Sequence, residues 1–236
     1  KNKIFIAIFA IIWIIFSFQF YSIFKTYSKD TTSYVTLIKW VWTLRNEAKT
    51  NAVIFLKPQD KEEIKAWDLI NITWPNSMAI IEWWDKSITR LAWNTRVKIQ
   101  HNFIADDLSK INISFELQSW KTWSNVVTIM WDDSYFNEQV EWVVAAVRWT
   151  VFEVNKENDY IRTLDHEVAV TDWSWSTQTI WENNMMSISK FKIEDLKKLI
   201  DTSWEKVNTA LDEDYIKNLR EAFTKEFENI TYAKSL

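Results

Sequence analysis

The sequence predicts a mainly β protein with one apolar helix at its N-terminus and a short helical tail at its C-terminus. Three observations support this fold class: an uncharged apolar stretch over 4–24, short alternating apolar runs from about 33 to 191, and apolar residues at helical spacing after 191. They divide the 236 residues into a transmembrane helix with its flanks (1–29), an all-β domain (30–191) and an amphipathic helical tail (192–236).

The stretch 4–24 predicts a single transmembrane helix that acts as an uncleaved signal anchor. Its 21 residues carry no charge, and a helix of that length spans about 31 Å, which matches a hydrocarbon core of about 30 Å. A cleavable signal peptide is the alternative, but its apolar region is about 7–15 residues long and ends at small residues, whereas bulky residues end this stretch. A buried core helix is disfavoured because no face of the segment is polar.

The charge distribution predicts the orientation and excludes one class of partner. Lys1 and Lys3 precede the apolar stretch, so we expect the N-terminus inside the cytoplasmic membrane and the bulk of the chain outside it. All 32 acidic residues follow position 29, while four of the 28 basic residues precede position 30. Residues 30–236 therefore carry 24 basic and 32 acidic side chains, a net charge of −8, which argues against nucleic acid as a partner. The absence of cysteine excludes disulfides and thiolate chemistry.

Short runs with period-two alternation and many β-branched residues predict strands across the middle of the chain. They recur about every eight to twelve residues with turn signals between them, which is typical of one all-β domain of short stacked strands, either a sandwich or a solenoid-like stack. The runs are 34–38, 77–81, 87–91, 95–99, 111–117, 126–129, 143–147, 150–154 and 167–170.

The C-terminal residues change to helical periodicity. A capping-box pattern at 202–205 and the acidic run 212–214 each predict the start of a helix. We therefore expect two or three amphipathic helices, which pack on the β domain or on each other, or alternatively bind a partner or a second copy. The apolar positions are Ile193, Leu196, Ile200, Val207, Leu211, Ile216, Leu219, Phe223, Phe227 and Ile230.

The chain has no glycine and 17 tryptophans, whereas average usage predicts roughly 17 glycines. Many of the tryptophans stand beside Asp, Asn, Pro, Ser or Lys, where glycine is typical of turns. Some bacteria translate the codon UGA as glycine. If such a gene is translated with a genetic code in which UGA means tryptophan, tryptophan replaces glycine and this composition results. The hypothesis names seven tryptophans that stand for glycine, and it predicts positive φ at several of them and poor burial at most of them. Trp123, and one of Trp83 and Trp84, are expected to be genuine tryptophans. The seven positions are Trp67, Trp74, Trp84, Trp93, Trp149, Trp173 and Trp175.

With glycine at these positions, the chain resembles the FecR domain, a bacterial extracytoplasmic signalling domain. The segment 145–154 reads A-A-V-R-W-T-V-F-E-V and resembles the family signature A-V-R-G-T-x-F-x-V, with Trp149 on the glycine. The segment 65–70 resembles x-x-G-D-x-I, with Trp67 on the glycine. The resemblance implies that the motif residues have a structural role; they are Arg148, Trp149, Thr150, Phe152, Val154, Trp67 and Asp68.

Weaker resemblances extend the family pattern over about 150 residues. The segment 85–91 is similar to D-G-S-x-x-x-L, with Lys86 where glycine is usual. The segment 163–170 is similar to L-x-G-x-V-x-V, although Asp165-His166 departs from it. The segments 74–80 and 179–182 resemble G-x-x-S-x-A and a closing G-E turn.

The resemblance implies a β-rich domain that makes contacts and has no catalytic function. In the best-known members, an outer-membrane receptor signals to this domain and a separate cytoplasmic region regulates a sigma factor. At most three residues precede the apolar stretch here, so we expect no such cytoplasmic region. We expect a membrane-tethered sensor or scaffold whose partner is an envelope protein or a glycan of unknown identity.

We expect no catalytic residues, no cofactor and no metal site. The two histidines, His101 and His166, lack further zinc ligands, and the Asp106-Asp107 and Asp132-Asp133 pairs fall short of the six or more oxygens that calcium needs. Arg148 is the one singular charge. It either pairs with a buried carboxylate or reads a ligand, and we favour the pairing.

Two other function classes remain open. Exposed tryptophans stack on sugar rings and apolar partners, so a chain with genuine tryptophans is typical of a carbohydrate-binding or surface-binding adhesin. An envelope hydrolase with an unrecognised site is the third class. The codons discriminate between the FecR-like sensor or scaffold and the adhesin, because UGA at the turn positions removes the argument for an adhesin.

Overall fold

A computed structural model describes residues 33–39, 44–45, 53–54, 60–73, 75–104, 110–127, 134–194 and 203–214. The predicted transmembrane helix 4–24, both aspartate pairs and the apolar positions from Ile216 onward lie outside these residues. Within the described ranges, no helix is long and apolar enough to cross a membrane.

The described chain forms two nine-stranded sheets of short strands. The strands are β1 Ser33–Lys39, β2 Leu44–Arg45, β3 Val53–Ile54, β4 Lys61–Ile64, β5 Leu69–Asn71, β6 Met78–Glu82, β7 Ile88–Ala92, β8 Arg96–Ile104, β9 Ile111–Ser119, β10 Lys121–Asn125, β11 Tyr135–Val140, β12 Val143–Val147, β13 Val151–Asn155, β14 Tyr160–Asp165, β15 Glu167–Asp172, β16 Thr177–Trp181, β17 Met185–Ser187 and β18 Lys192–Glu194. The first sheet has the order β18-β17-β14-β13-β10-β7-β6-β1-β4, and the second has the order β16-β15-β12-β11-β9-β8-β5-β2-β3. Neighbouring strands run antiparallel in the described pairs, except β9 and β11, which run parallel.

The hydrophobic core lies between the inner faces of the two sheets. Phe136 from β11 and Phe152 from β13 meet edge to face across this interface, with their ring centroids 6.4 Å apart. Trp83 stacks on Phe115 at 5.4 Å, and both rings are buried. The alternation of buried and half-buried positions along β11 and β12 is the pattern expected of strands with one face on such a core. The mainly β fold of short strands is therefore confirmed.

One predicted strand is misplaced in the sequence. The run 126–129 is predicted to form a strand, but β10 spans Lys121–Asn125 and the next two residues, Val126 and Val127, belong to no strand. Residues 128–129 lie outside the described part of the chain. All five residues of β10 are buried, including the hydroxyl residues Thr122 and Ser124. A strand that is covered on both faces and carries polar residues inside has no apolar alternation to detect.

The expected helical tail does not begin at 192. Ile193 lies in β18 and pairs with Met186 of β17, so hairpin pairing overrides the helical spacing. The described helix, α1, spans 203–214, and Thr202, the predicted N-cap, lies outside the described residues. The acidic run 212–214 continues this helix and does not start a second one. The strands belong to a compact unit that ends at Glu194, and α1 belongs to a second unit that begins at Asp195.

Left-handed backbone recurs in the connections between strands. Among the described residues, twelve have positive φ, and each lies in a different connection between successive strands. Seven lie where the chain crosses from one sheet to the other: Trp67, Asn76, Asn94, Trp120, Trp149, His166 and Asn183. Five lie in hairpins within one sheet: Lys86, Glu141, Asp159, Trp175 and Phe191. This repeated conformation lets the short strands turn tightly from layer to layer.

The tryptophans at these turns show the geometry that was predicted for several of them. Trp67, Trp149 and Trp175 have φ values of 75°, 53° and 64°, a region that is a genuine outlier for bulky residues. Trp120, which was not among the seven positions, also has positive φ, at 65°. By contrast, Trp123 is 1% exposed on β10, as expected of a genuine tryptophan.

Three of the other named tryptophans are exposed, as predicted, but do not have the positive φ predicted for several of the seven. Trp84, Trp93 and Trp173 are exposed without positive φ, and Trp74 lies outside the described residues. In the Trp83-Trp84 pair, Trp83 is the buried one, at 2% exposure.

Candidate functional site: two corners and an outer-face trough

The motif residues Arg148, Trp149 and Thr150 form the corner where the chain leaves β12 in the second sheet for β13 in the first. The Thr150 hydroxyl lies 2.8 Å from the carbonyl oxygen of Arg148 and 2.9 Å from that of Glu167. The Thr150 amide donates to the Val126 carbonyl at 3.1 Å, and the Val126 amide donates back at 2.9 Å. These bonds fix the corner to two neighbouring segments.

The other residues of this motif have different environments. Phe152 and Val154 are fully buried in the core, so their role is packing. Arg148 is exposed, and its expected pairing with a buried carboxylate stays a prediction.

The motif residues Trp67 and Asp68 form a second corner, where the chain leaves β4 in the first sheet for β5 in the second. The Lys65 amide donates to a carboxylate oxygen of Asp68 at 2.8 Å. The Trp67 amide donates to the Ile99 carbonyl at 2.7 Å, and the Ile99 amide donates to the Asp68 carbonyl at 2.9 Å. Burial raises the pKa of Asp68, although the hydrogen bond from Lys65 opposes this shift. Both corners are held by hydrogen bonds within the fold, and they lie on separate connections between the two sheets.

A trough crosses the outer face of the second sheet. Its floor consists of Asn137, Ala146 and Ala169, which are direct register partners on three adjacent strands, β11, β12 and β15. Tyr135, Arg148 and Glu167 line the same groove, whose volume is about 290 Å³. The short alanine side chains between longer neighbours create this depression, which we call the alanine trough.

Polar side chains continue along the outer face beside the trough. The Gln100 amide donates to the Gln139 side-chain oxygen at 2.7 Å, and the Ser114 hydroxyl donates to Gln100 at 2.8 Å. The Tyr135 hydroxyl lies 3.3 Å from Nδ1 of His101. This face therefore combines amides, hydroxyls and an aromatic ring, and it lies next to the Arg148 corner.

A buried carboxyl lies between the two sheets. Glu138 on β11 is fully buried, and it accepts a short hydrogen bond from the Thr122 hydroxyl on β10. Burial raises the pKa of Glu138 to about 8, although hydrogen bonds from Thr122 and Ser124 oppose this shift. The Ser124 hydroxyl in turn lies 3.0 Å from the Thr89 hydroxyl. Sequence reasoning missed this group because Glu138 occupies an inward position of a strand that was not predicted.

A second buried polar cluster lies on the first sheet. Arg162 donates to Glu153 at 2.9 Å, and the Tyr160 hydroxyl donates to the same carboxylate at 2.9 Å. Burial raises the pKa of Glu153, and the Arg162 charge opposes this shift. The Arg162 guanidinium lies 5.9 Å from the ring centroid of Trp123. This compensated ion pair is typical of a structural role.

The titratable groups of the described ranges do not assemble into a metal centre: no cluster of three or more His, Cys, Asp or Glu side chains occurs there. His166 lies 3.0 Å from Asp165 at a sheet crossing, and His101 lies on β8 beside Tyr135. The acidic side chains Glu63 and Glu82 form surface ion pairs with lysines.

No known family model and no curated protein matches the sequence. Two crystal structures of a "putative anti-sigma factor" from Parabacteroides distasonis are similar in fold. Their TM-scores are 0.43 and 0.42, and their sequence identities are 15% and 14%. Each similarity covers 53% of this chain and 57% of the other, so the chain matches little more than half of their length.

Proposed function

We propose that the protein is a membrane-anchored, extracytoplasmic FecR-like binding domain, which acts as a sensor or scaffold of the bacterial envelope and not as an enzyme. Four glycine positions of the family pattern carry this proposal. The chain has Trp67, Lys86, Trp149 and His166 at these positions, and their φ values are 75°, 71°, 53° and 62°. Glycine is the residue that adopts such angles without steric cost.

At three of the four positions, residue type does not explain this agreement. Tryptophan and lysine have no preference for the left-handed region, yet Trp67, Lys86 and Trp149 adopt it where the FecR pattern has glycine. Even the segment with Asp165-His166, which departs from the pattern in sequence, keeps the backbone of the pattern at His166. One position differs: Trp181 lacks positive φ, and Asn183 two residues later has it.

We also propose that the left-handed tryptophans stand for glycine in the native protein. A β-carbon in this region costs roughly 1–2 kcal/mol, and Trp67, Trp120, Trp149 and Trp175 all lie in it. Sequencing the gene tests this directly. UGA codons at these four positions and UGG at Trp83 and Trp123 are expected, while UGG at all six would contradict the proposal.

The proposed location is tested on the full chain with a tag after Leu236. Membrane fractionation is expected to recover the protein with the membranes, because 4–24 is apolar over the thickness of a bilayer. Protease added to intact spheroplasts is expected to digest the domain. Recovery of the full-length chain in the soluble fraction, or a protected domain, would contradict the anchor or the orientation.

A second candidate is an adhesin that uses exposed tryptophans. Trp173 and Trp175 favour it, because they lie in one hairpin loop and are 74% and 87% exposed. Large exposed aromatics in one loop are typical of sugar-binding and protein-binding surfaces. Loss of surface binding on Trp173→Ala, in a protein whose gene reads UGG at both positions, is the result that this candidate predicts.

A further inference from the structure

We propose that two copies of this chain associate through β16, by antiparallel pairing of this strand with β16 of the second copy. The inference goes beyond the proposed function and does not depend on it, because it uses only the β unit. β16 spans Thr177–Trp181 and is the last strand of the second sheet, where it pairs with β15. Its other side is an open sheet edge of five residues, and such an edge is a template for a further strand.

The register of the β15–β16 hairpin shows which backbone groups face this edge. The Asp172 amide donates to the Ser176 carbonyl at 3.0 Å, which makes these two residues a hydrogen-bonded pair of the antiparallel ladder. Hydrogen-bonded and non-hydrogen-bonded pairs alternate along such a ladder. Thr177 and Thr179 therefore belong to non-hydrogen-bonded pairs, so their N–H and C=O groups point away from β15. No strand of the described chain pairs with them on that side.

The composition of β16 distinguishes it from the other terminal strands of the two sheets. Natural sheet edges are commonly protected by charged residues, by proline or by short length. β4 (Lys61–Ile64) and β18 (Lys192–Glu194) both carry charged residues, and β3 (Val53–Ile54) has only two residues. β16 has the sequence T-Q-T-I-W, without charge or proline. It therefore lacks the usual protection against pairing with another chain.

The edge is complementary to itself about a two-fold axis, which favours a second copy as its occupant. When Thr179 lies opposite Thr179 of the second copy, Thr177 lies opposite Trp181, and Gln178 lies opposite Ile180. The backbone groups that face the edge then meet one another and can form about six hydrogen bonds. Threonine pairs across strands are stabilising and like charges are destabilising, and this register opposes no two charges within β16. A contact of this symmetry closes as a dimer.

Exposed aromatic residues lie at the same edge. Trp181 on β16 is 61% exposed, and Trp173 and Trp175 in the loop before β16 are 74% and 87% exposed. Large exposed apolar side chains that lie together mark protein-interaction surfaces. The strand pairing itself uses backbone groups, so it does not depend on whether tryptophan or glycine occupies these positions.

Crosslinking that depends on the register tests the proposal on the full-length chain in detergent micelles, because the chain contains no cysteine. Thr179→Cys places the two introduced thiols on hydrogen-bonded partners, whose Cα atoms lie about 5.5 Å apart. A short bis-methanethiosulfonate reagent should therefore join two copies covalently. Thr177→Cys is the matched control, because this position lies on the same edge and is more exposed than Thr179. Its two thiols are offset by four residues, or roughly 14 Å, and should not be joined.

Light scattering measures the association of the unmodified chain in the same micelles. One pair of strands is a small interface of the weak, transient class, so we expect dimers at about 10–100 μM. Thr179→Pro removes both hydrogen bonds at the two-fold axis and should weaken the dimer by about tenfold or more. An edge strand tolerates proline where its N–H group faces solvent.

Three results would overturn the inference. The first is an unmodified chain that stays monomeric at about 100 μM. The second is a Thr179→Pro chain that dimerises as strongly as the unmodified chain. The third is crosslinking in which Thr179→Cys gives no covalent dimer, or gives no more of it than Thr177→Cys.

Discussion

At the scale of single residues, the two arginines Arg148 and Arg162 show how burial decides what a charge contributes. Arg162 lies against Glu153, and both side chains are almost completely buried. Arg148, although it belongs to the family signature, is exposed. An exposed charge is screened by solvent and typically contributes little to stability.

This contrast gives a paired prediction for urea unfolding. Arg148→Ala should change the free energy of unfolding by no more than about 0.5 kcal/mol, whereas Arg162→Ala should lower it by about 3–5 kcal/mol because Glu153 loses its buried partner. A large loss from Arg148→Ala would restore the structural pairing that the sequence suggested. A negligible loss from Arg162→Ala would contradict the role assigned to the buried cluster.

At the scale of elements, strands β10 and β11 enclose a titratable group between the sheets. Glu138 has a pKa of about 8 in the folded protein against an ordinary value of 4.5. Below about pH 4.5 both states hold the proton. Between that pH and about 8 only the folded state keeps it, so stability is lost as the pH rises through this window and levels off above it.

The second prediction follows from that window. Between pH 6 and 8, the free energy of unfolding should fall by roughly 1.4 kcal/mol per pH unit, because Glu138 loses one proton on unfolding. Glu138→Gln should remove that part of the slope while keeping the hydrogen bond to Thr122. Unfolding curves of both proteins at pH 6, 7 and 8 provide the measurement, and equal slopes would show that Glu138 is ionised in the folded state.

The elements also show how far sequence patterns reach. Strand β12 was predicted with its observed bounds because its five residues form a short, uninterrupted apolar run. Strand β10 was misplaced because it is buried on both faces and polar inside, and β18 was taken for helix because three residues carry no usable period. The corner at Arg148-Trp149-Thr150 was visible as a motif. The alanine trough was not visible in the sequence, because its floor depends on the register between the β11–β12 hairpin and strand β15.

At the scale of the whole molecule, the described β unit is a stack of short strands whose connections repeatedly adopt left-handed backbone. Four of those positions coincide with glycines of the FecR pattern, and this coincidence links the sequence to the proposed sensor or scaffold role. The outer face of the second sheet then offers a contact surface next to one of the motif corners. The central claim is therefore that these four positions require the conformational freedom of glycine.

The most direct test is the unfolding free energy of a chain with Trp67→Gly, Lys86→Gly, Trp149→Gly and His166→Gly combined. Relief of β-carbon strain, about 1–2 kcal/mol per site, is partly offset by about 0.4–1 kcal/mol per site from the greater freedom of the unfolded chain. The account predicts a net gain of roughly 2–4 kcal/mol. Trp181→Gly, at the family glycine without positive φ, is the matched control and should give no gain. A combined variant that is less stable than the unmodified chain, or a control that gains as much per site, would contradict the claim.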